Sequence, residues 1–249
     1  MKDVRKHIFD KLKKEKLVFT LLDPEKLDAK EAGKLAKKLE DIGSDAIMLG
    51  GSTTGSIDDV AKAVKDAVSI PIILFPSSAM SLSKHADAVF FMSLINSEKI
   101  EYLMGEQLKG SLMVKNYGLE PIGMGYIVIN TGEPTMVEKV AQIRRLTNKE
   151  AVSCALAAEY FGMKVVYLEA GSGAQSPVPD SMISAVKKEI GVPLIVGGGI
   201  NGPLMAKKKL EAGADIIVIG TVIEKAYAKA AEIIDIVKKI PVEKKGLKK

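Results

Sequence analysis

Eight short apolar runs, separated by stretches with helical spacing, constrain what this chain can fold into. They lie at residues 17–22, 46–49, 71–75, 88–92, 126–129, 165–168, 194–196 and 216–219. Each is near-continuously apolar rather than alternating. That pattern belongs to strands buried on both faces, as in a parallel sheet. Helical patterns follow most of them, at 29–41, 58–68, 97–108, 149–161, 180–190, 203–212 and 222–239. Pro203 after Asn201-Gly202, and Pro179 before Asp180, suit helix starts. A strand–helix repeat of this length in 249 residues is the expectation for one α/β domain over residues 1–249, a (β/α)8 TIM-like barrel. An N-terminal helix is expected within residues 1–16 and a basic tail at 241–249.

Two connections depart from the repeat. Residues 76–87 are too few for a crossover helix and two loops, so the helix between strands 3 and 4 is expected to be reduced or replaced. Residues 131–148, broken at the start by Gly132 and Pro134, form an extra segment after strand 5. It is a candidate lid or groove wall. A weak internal repeat sets polarity: Asp45, Asp87 and Asp215 each stand just before a strand. They belong to the bottom face of the barrel, where such residues serve stability. Asp23 and Glu169 instead end strands, on the face where barrel chemistry occurs.

Three glycine-bearing turns follow apolar runs: Tyr167-Leu168-Glu169-Ala170-Gly171-Ser172-Gly173, Val196-Gly197-Gly198-Gly199-Ile200 and Ile219-Gly220-Thr221. Glycine allows close backbone approach, and such turns between a strand and a helix cradle phosphate. Two of them lie after strands 7 and 8, where barrels build a phosphate site. The chain therefore reads as an enzyme acting on a small phosphorylated molecule. Tyr167 and Glu169 lie two apart on strand 6 and share a face, so one can fix a substrate hydroxyl while the other takes its proton. Asp23 is either a loop-capping carboxylate or a ligand for Mg²⁺, which often takes only one or two protein carboxylates. The turn Gly50-Gly51-Ser52-Thr53-Thr54-Gly55 offers hydroxyls and N–H groups to an anion or metal beside it.

Other chemistries are disfavoured. Two histidines, His7 and His85, cannot build a multi-histidine zinc site. No lysine lies in a predicted strand, which argues against a Schiff-base enzyme. Asp58-Asp59 opens a helix, where the macrodipole favours acids without any metal. The single cysteine, Cys154, reads as a packing residue and suits a reducing, cytoplasmic setting. No apolar run approaches bilayer-spanning length, and Met1 to Lys6 leads into mixed polar sequence rather than a signal-peptide core. The net charge is +5, with lysines at 11, 13, 14 and 16 and again at 244, 245, 248 and 249, read as solvated faces and a basic tail. Aromatics are 5% with no Trp, so base stacking on nucleic acid is not expected.

The turns above, with Asp23-Pro24-Glu25-Lys26, Gly50-Gly51-Ser52 and Phe91-Met92-Ser93-Leu94-Ile95-Asn96, resemble the geranylgeranylglyceryl phosphate synthase family from strand 1 to strand 8. Tyr-x-Glu-x-Gly-Ser-Gly is the specific element; the short link between strands 3 and 4 also fits. The resemblance implies an archaeal prenyltransferase, making the first ether bond of archaeal membrane lipids from geranylgeranyl diphosphate and the 3-hydroxyl of sn-glycerol 1-phosphate. It implies that Tyr167, Leu168, Glu169, Ala170, Gly171, Ser172, Gly173, Gly198, Gly199, Gly220 and Thr221 hold glycerol 1-phosphate. Asp23 and Ser52 would bind Mg²⁺, and Glu169 with Tyr167 would be catalytic. Phe91, Met92, Leu94 and Met124 are candidates for a prenyl groove. A homo-oligomer, dimer or hexamer, is expected. The alternatives are another phosphate-binding barrel enzyme, such as a phosphosugar isomerase or synthase, or a longer-chain prenylglyceryl phosphate synthase.

Overall fold

The eight runs pair in chain order, all parallel, and the eighth returns to the first to close a barrel. The structure, a computed structural model, describes residues 3–50, 57–129 and 141–242. The strands are β1 (Leu17–Leu22), β2 (Ala46–Leu49), β3 (Ile72–Leu74), β4 (Ala88–Leu94), β5 (Glu120–Val128), β6 (Val165–Glu169), β7 (Leu194–Gly197) and β8 (Ile216–Ile219). Helices α1 (Val4–Leu12), α2 (Ala29–Asp41), α3 (Asp58–Ala67), α4 (Glu106–Tyr117), α5 (Asn148–Tyr160), α6 (Asp180–Glu189), α7 (Pro203–Glu211), α8 (Thr221–Lys225) and α9 (Tyr227–Lys239) surround them. The interior takes alternate residues, among them Phe19, Met48, Ile73, Phe90, Met124 and Tyr167. The residues between them face outward onto the helices. Two faces buried is why these strands read as unbroken apolar runs.

No helix forms in residues 75–87, as the short link requires. Three expectations need correction. Strand β5 begins at Glu120, well before residue 126. Gly123 and Gly125 disguise it: a Cβ on Gly125 would meet the Ala158 Cβ of α5 at 2.4 Å, so glycine lets that helix lie on the sheet. The pattern at 97–108 is not one α-helix. It is a π-helical turn, Glu101–Gly105, running into α4, which extends to Tyr117 and stops at Gly118 in the left-handed conformation (φ 68°). The last helix is broken at Ala226 into α8 and α9. Elsewhere the local signals hold. Asp28 with Glu31 and Thr147 with Glu150 form reciprocal capping boxes at α2 and α5. Pro203 opens α7.

The bottom face is a set of carboxylate clamps. Asp45 accepts from the Val18 N–H at 2.8 Å, Asp87 from Ile72 at 3.0 Å and Asp215 from Leu194 at 2.9 Å. Each carboxylate thus ties the strand it precedes to the one before. Each also meets lysine: Lys11 and Lys238 at Asp45, Lys65 at Asp87, Lys16 and Lys187 at Asp215. Lys11 and Lys16 are therefore counterions of the clamps rather than merely solvated charges. Helix α1 covers this end; Val4, Ile8, Phe9 and Leu12 pack into the interior cluster, and Glu120 accepts the N–H groups of Val4 and Arg5.

Glu40 plays a similar part where α2 meets the start of β3. It accepts from the Ser69 N–H (2.8 Å), the Ser69 hydroxyl (2.5 Å) and the Ile70 N–H (3.2 Å), with Lys37 at 2.9 Å. Burial pushes its pKa up, but Ser69 and Lys37 overcome this and lower it from 4.5 to about 2. The lowered value stabilises the fold above the unfolded-state pKa, and that stability is lost as pH falls toward 2. Allowing for solvent screening of the half-exposed Lys37, the contribution is about 1–2 kcal/mol at pH 7. Urea unfolding should find Glu40→Gln less stable than wild type by that amount at pH 7, with the gap closing between roughly pH 4.5 and 2. A gap unchanged by acid would show that the charge is not its source.

Candidate active site

Glu169 is the last residue of β6, and it is 7% exposed. Tyr167, two residues earlier on the same face, is fully buried beneath it and donates its hydroxyl hydrogen to Glu169 Oε2. The Gly171 N–H donates to Oε1 at 2.7 Å. Burial raises the Glu169 pKa; the bonds from Tyr167 and Gly171 restrain the rise without cancelling it. The Tyr167 phenol is pushed well above its ordinary value, first by burial and then by the Glu169 charge. Such a carboxylate is a base of enhanced proton affinity at the catalytic end of a barrel. Tyr167 is bonded to Glu169 and lies beneath the surface, so its hydroxyl meets the carboxylate rather than solvent.

Neighbouring residues fix this pair. Tyr167 packs among Phe75 and Tyr126, with ring centroids 5.8 and 5.5 Å away. Strand β7 ends opposite Glu169 at Gly197, where a Cβ would lie 2.2 Å from the Tyr167 hydroxyl oxygen. At Gly198, with φ +80°, a Cβ would lie 2.4 Å from Glu169 Oε1 and 2.7 Å from the Gly171 nitrogen. At Gly199, with φ +68°, it would meet the Ala174 carbonyl at 3.0 Å. The start of the β7–α7 turn can therefore lie against the β6–α6 loop only because Gly198 and Gly199 have no side chains. Ser172 and Gly173 are exposed beside it, and Ala170 is buried. Leu168 points outward into the packing between barrel and helices, which leaves only its backbone on the site's side. Gly220 and Thr221 end β8 and begin α8.

Asp23 follows β1 on the same end of the barrel. Its carboxylate accepts from the Glu25 N–H at 3.1 Å and lies 3.4 Å from Lys26 Nζ, which also reaches Glu224 of α8 at 3.1 Å. Ser52 lies outside the described residues, as does most of 131–148. Among the described residues no group of three or more His, Cys, Asp or Glu could hold a metal ion. Asp23 therefore fits a magnesium ion only in the mode that uses one carboxylate, water and substrate phosphate.

The groove candidates divide. Phe91 and Met92 line a cleft with Pro76, Ala79, Leu82 and Gln107, in the space left by the absent helix. Met124 and Leu94 are buried in the interior, 0% and 4% exposed. Sequence reasoning placed Gly197 in a glycine turn but missed its contact with Tyr167, which appears only across the strands, and the packing of Phe75 and Tyr126 around that tyrosine. It also missed Asn96 as a fastener: its amide bonds both the N–H and the C=O of Val128 and the carbonyl of Arg144.

Known proteins resemble this chain along nearly its whole length. The PcrB family model matches residues 10–240. This chain belongs to the PcrB family. A geranylgeranylglyceryl phosphate synthase of Thermococcus gammatolerans is 52% identical over 227 residues, 90% of each chain. The solved wild-type enzyme of that name from Thermoplasma volcanium superposes with a TM-score of 0.91 at 40% identity, covering 98% of this chain and all of that one. The Thermoplasma acidophilum synthase, solved with its substrate sn-glycerol-1-phosphate, gives 0.90 at 36% identity, covering 96% and 100%.

In this PcrB-family chain the Tyr167 hydroxyl stabilises ionised Glu169 while burial opposes ionisation. Removing the hydroxyl leaves burial less opposed. Carboxyl NMR titration should therefore find Glu169 of Tyr167→Phe ionising at higher pH than in wild type. An unchanged or lowered midpoint would remove Tyr167 from that role.

Proposed function

We propose that this chain joins geranylgeranyl diphosphate to the 3-hydroxyl of sn-glycerol 1-phosphate, forming an ether bond and releasing diphosphate in archaeal lipid synthesis. The observation that carries the reading is the buried Glu169, held by Tyr167 and Gly171 beside the Gly198-Gly199 turn, in a chain that aligns along 90% of its length with synthases of this name. In the reaction the hydroxyl oxygen bonds to C1 of the prenyl chain as the C1–O bond to diphosphate breaks. Glu169 takes the hydroxyl proton, and Tyr167 holds the accepting carboxylate in place. The N–H groups of Ser172, Gly173, Gly198, Gly199, Gly220 and Thr221 suit the glycerol phosphate group, the Gly171 N–H being taken by Glu169.

Asp23 and Ser52 are proposed to hold Mg²⁺ on the diphosphate side. Bound there, the ion would neutralise charge on the departing diphosphate. Lys26 would exchange Asp23 for diphosphate oxygens as the carboxylate is taken up. The cleft at Phe91 and Met92 suits the start of the prenyl tail. Ile100, Met104, Leu108 and Leu112, at four-residue spacing and 65%, 48%, 67% and 71% exposed, support a homo-oligomer, dimer or hexamer. No described helix is long and apolar enough to cross a membrane, and a cytoplasmic enzyme is the reading offered.

Radiolabelled sn-glycerol 1-phosphate should be converted with the C20 donor, more slowly with longer donors and with the 3-phosphate enantiomer, and not after EDTA. Glu169→Gln should lower kcat roughly 10²–10⁴-fold with a much smaller change in KM for glycerol phosphate. Folded protein that transfers no prenyl group from any donor would overturn the reading. Equal losses in kcat and binding would recast Glu169 as a binding group.

A further inference from the structure

Lys209 is a charged side chain in a place that shape alone would fill with a hydrophobe. It lies near the end of α7, is 5% exposed, and packs beside the buried Ala206 and Leu210 of the same helix. Its Nζ donates to the Val178 carbonyl at 2.8 Å and meets the Asp180 carboxylate at 2.5 Å. Val178 is fully buried and ends the β6–α6 loop; Asp180 is the first residue of α6. A buried ammonium is unfavourable unless such partners replace water, and a well-packed apolar side chain often serves stability as well or better. Its presence therefore points to position rather than stability.

The position it fixes is that of the phosphate loops. Helix α7 starts directly after the Gly198–Gly202 turn, so Lys209 belongs to the element that carries that turn. Val178 belongs to the loop that begins with Gly171, Ser172 and Gly173. Near the site Gly199 lies against the backbone of the other loop, where a Gly199 Cβ would lie 3.0 Å from the Ala174 carbonyl and 3.1 Å from the Pro177 nitrogen. The glycines of the turn put no side chain of their own there to set the spacing. Lys209 supplies a polar tie one residue beyond Pro177. From this geometry we infer that Lys209 is a positioning residue, which sets the separation of the β6–α6 loop and the β7–α7 turn and thereby the fit of the phosphate monoester between them. The inference rests on the reading of these loops as the glycerol-phosphate site.

Lys209→Met keeps length and apolar volume but loses the donors. It should raise KM for glycerol 1-phosphate about tenfold, with kcat at saturation and KM for the prenyl diphosphate within about twofold of wild type. Calorimetry with inorganic phosphate should show the same loss of affinity without turnover. Lys209→Arg should recover most of it. A general weakening of the fold would instead lower kcat or shift both KM values, and either result overturns the assignment, as does unchanged phosphate affinity. Should Lys209→Met not fold, Asp180→Asn, at a half-exposed position, becomes the deciding variant. A roughly threefold rise confined to the glycerol-phosphate KM supports the tie, and no rise overturns it. Wild-type protein that bound no glycerol 1-phosphate would overturn the functional reading first, and this assignment with it.

Discussion

Glu169 loses nearly all contact with water where β6 ends, and a carboxylate so placed is costly unless hydrogen bonds replace its hydration. One oxygen is bonded to the Tyr167 hydroxyl and the other to the Gly171 amide. Those two bonds determine much of what surrounds them. Tyr167 must be buried directly below, so the ring of Phe75, just after β3, and one from β5 pack against it. The Gly171 amide must face back toward β6, which the loop achieves with Gly171 at φ +99°. The facing strand must end without side chains, hence Gly197 and Gly198. The same glycines that admit the carboxylate bring backbone rather than side chains to the mouth of the barrel, the kind of surface that suits an anion.

Stability and the candidate site are kept at opposite ends of the molecule. The bottom carries carboxylates bonded to strand amides and to lysines, with α1 closing the barrel below them. The top carries a buried carboxylate of raised pKa, the glycines packed against it and an aspartate paired with a half-exposed lysine. A barrel can hold the second set because the first set fixes the strands, and because adjacent strands share registers of several residues that a loop cannot shift. Position along the strand, rather than residue type, separates Asp45, Asp87 and Asp215 from Asp23 and Glu169.

How much of this was legible in the sequence follows from how local each signal is. The strands were readable because burial on both faces leaves an unbroken apolar run. Strand β5 was readable only in its second half, because the helix packed on its first half demands glycine at 125, Gly123 stands beside it, and glycine looks like a loop. The start of α4 was obscured by a π-helical turn, which has no compositional mark. Glu169 and Tyr167 could be found together because their spacing of two is the period of a strand. Gly197 and Lys209 could not, since the reasons for them lie in β6 and in the loop before α6, and no spacing within their own segments reveals a partner elsewhere.

The absent helix between β3 and β4 links fold to site in the same way. Residues 75–87 run as an irregular chain, so the outer face of β3 and β4 lacks the cover that other strands have. Helix α4 covers part of it: a Cβ on Gly110 would lie 3.5 Å from Ala79 and Leu82, and Glu106 accepts the Ala79 N–H at 2.7 Å. The cover is incomplete, and the gap is the cleft beside Phe91 and Met92. Phe91, Met92 and Ser93 are accordingly only partly buried, unlike the first three residues of β4. The absence of the helix exchanges packing for a cleft lined by the loop, β4 and α4, so the irregularity in the strand–helix repeat is also where the barrel's outer layer opens.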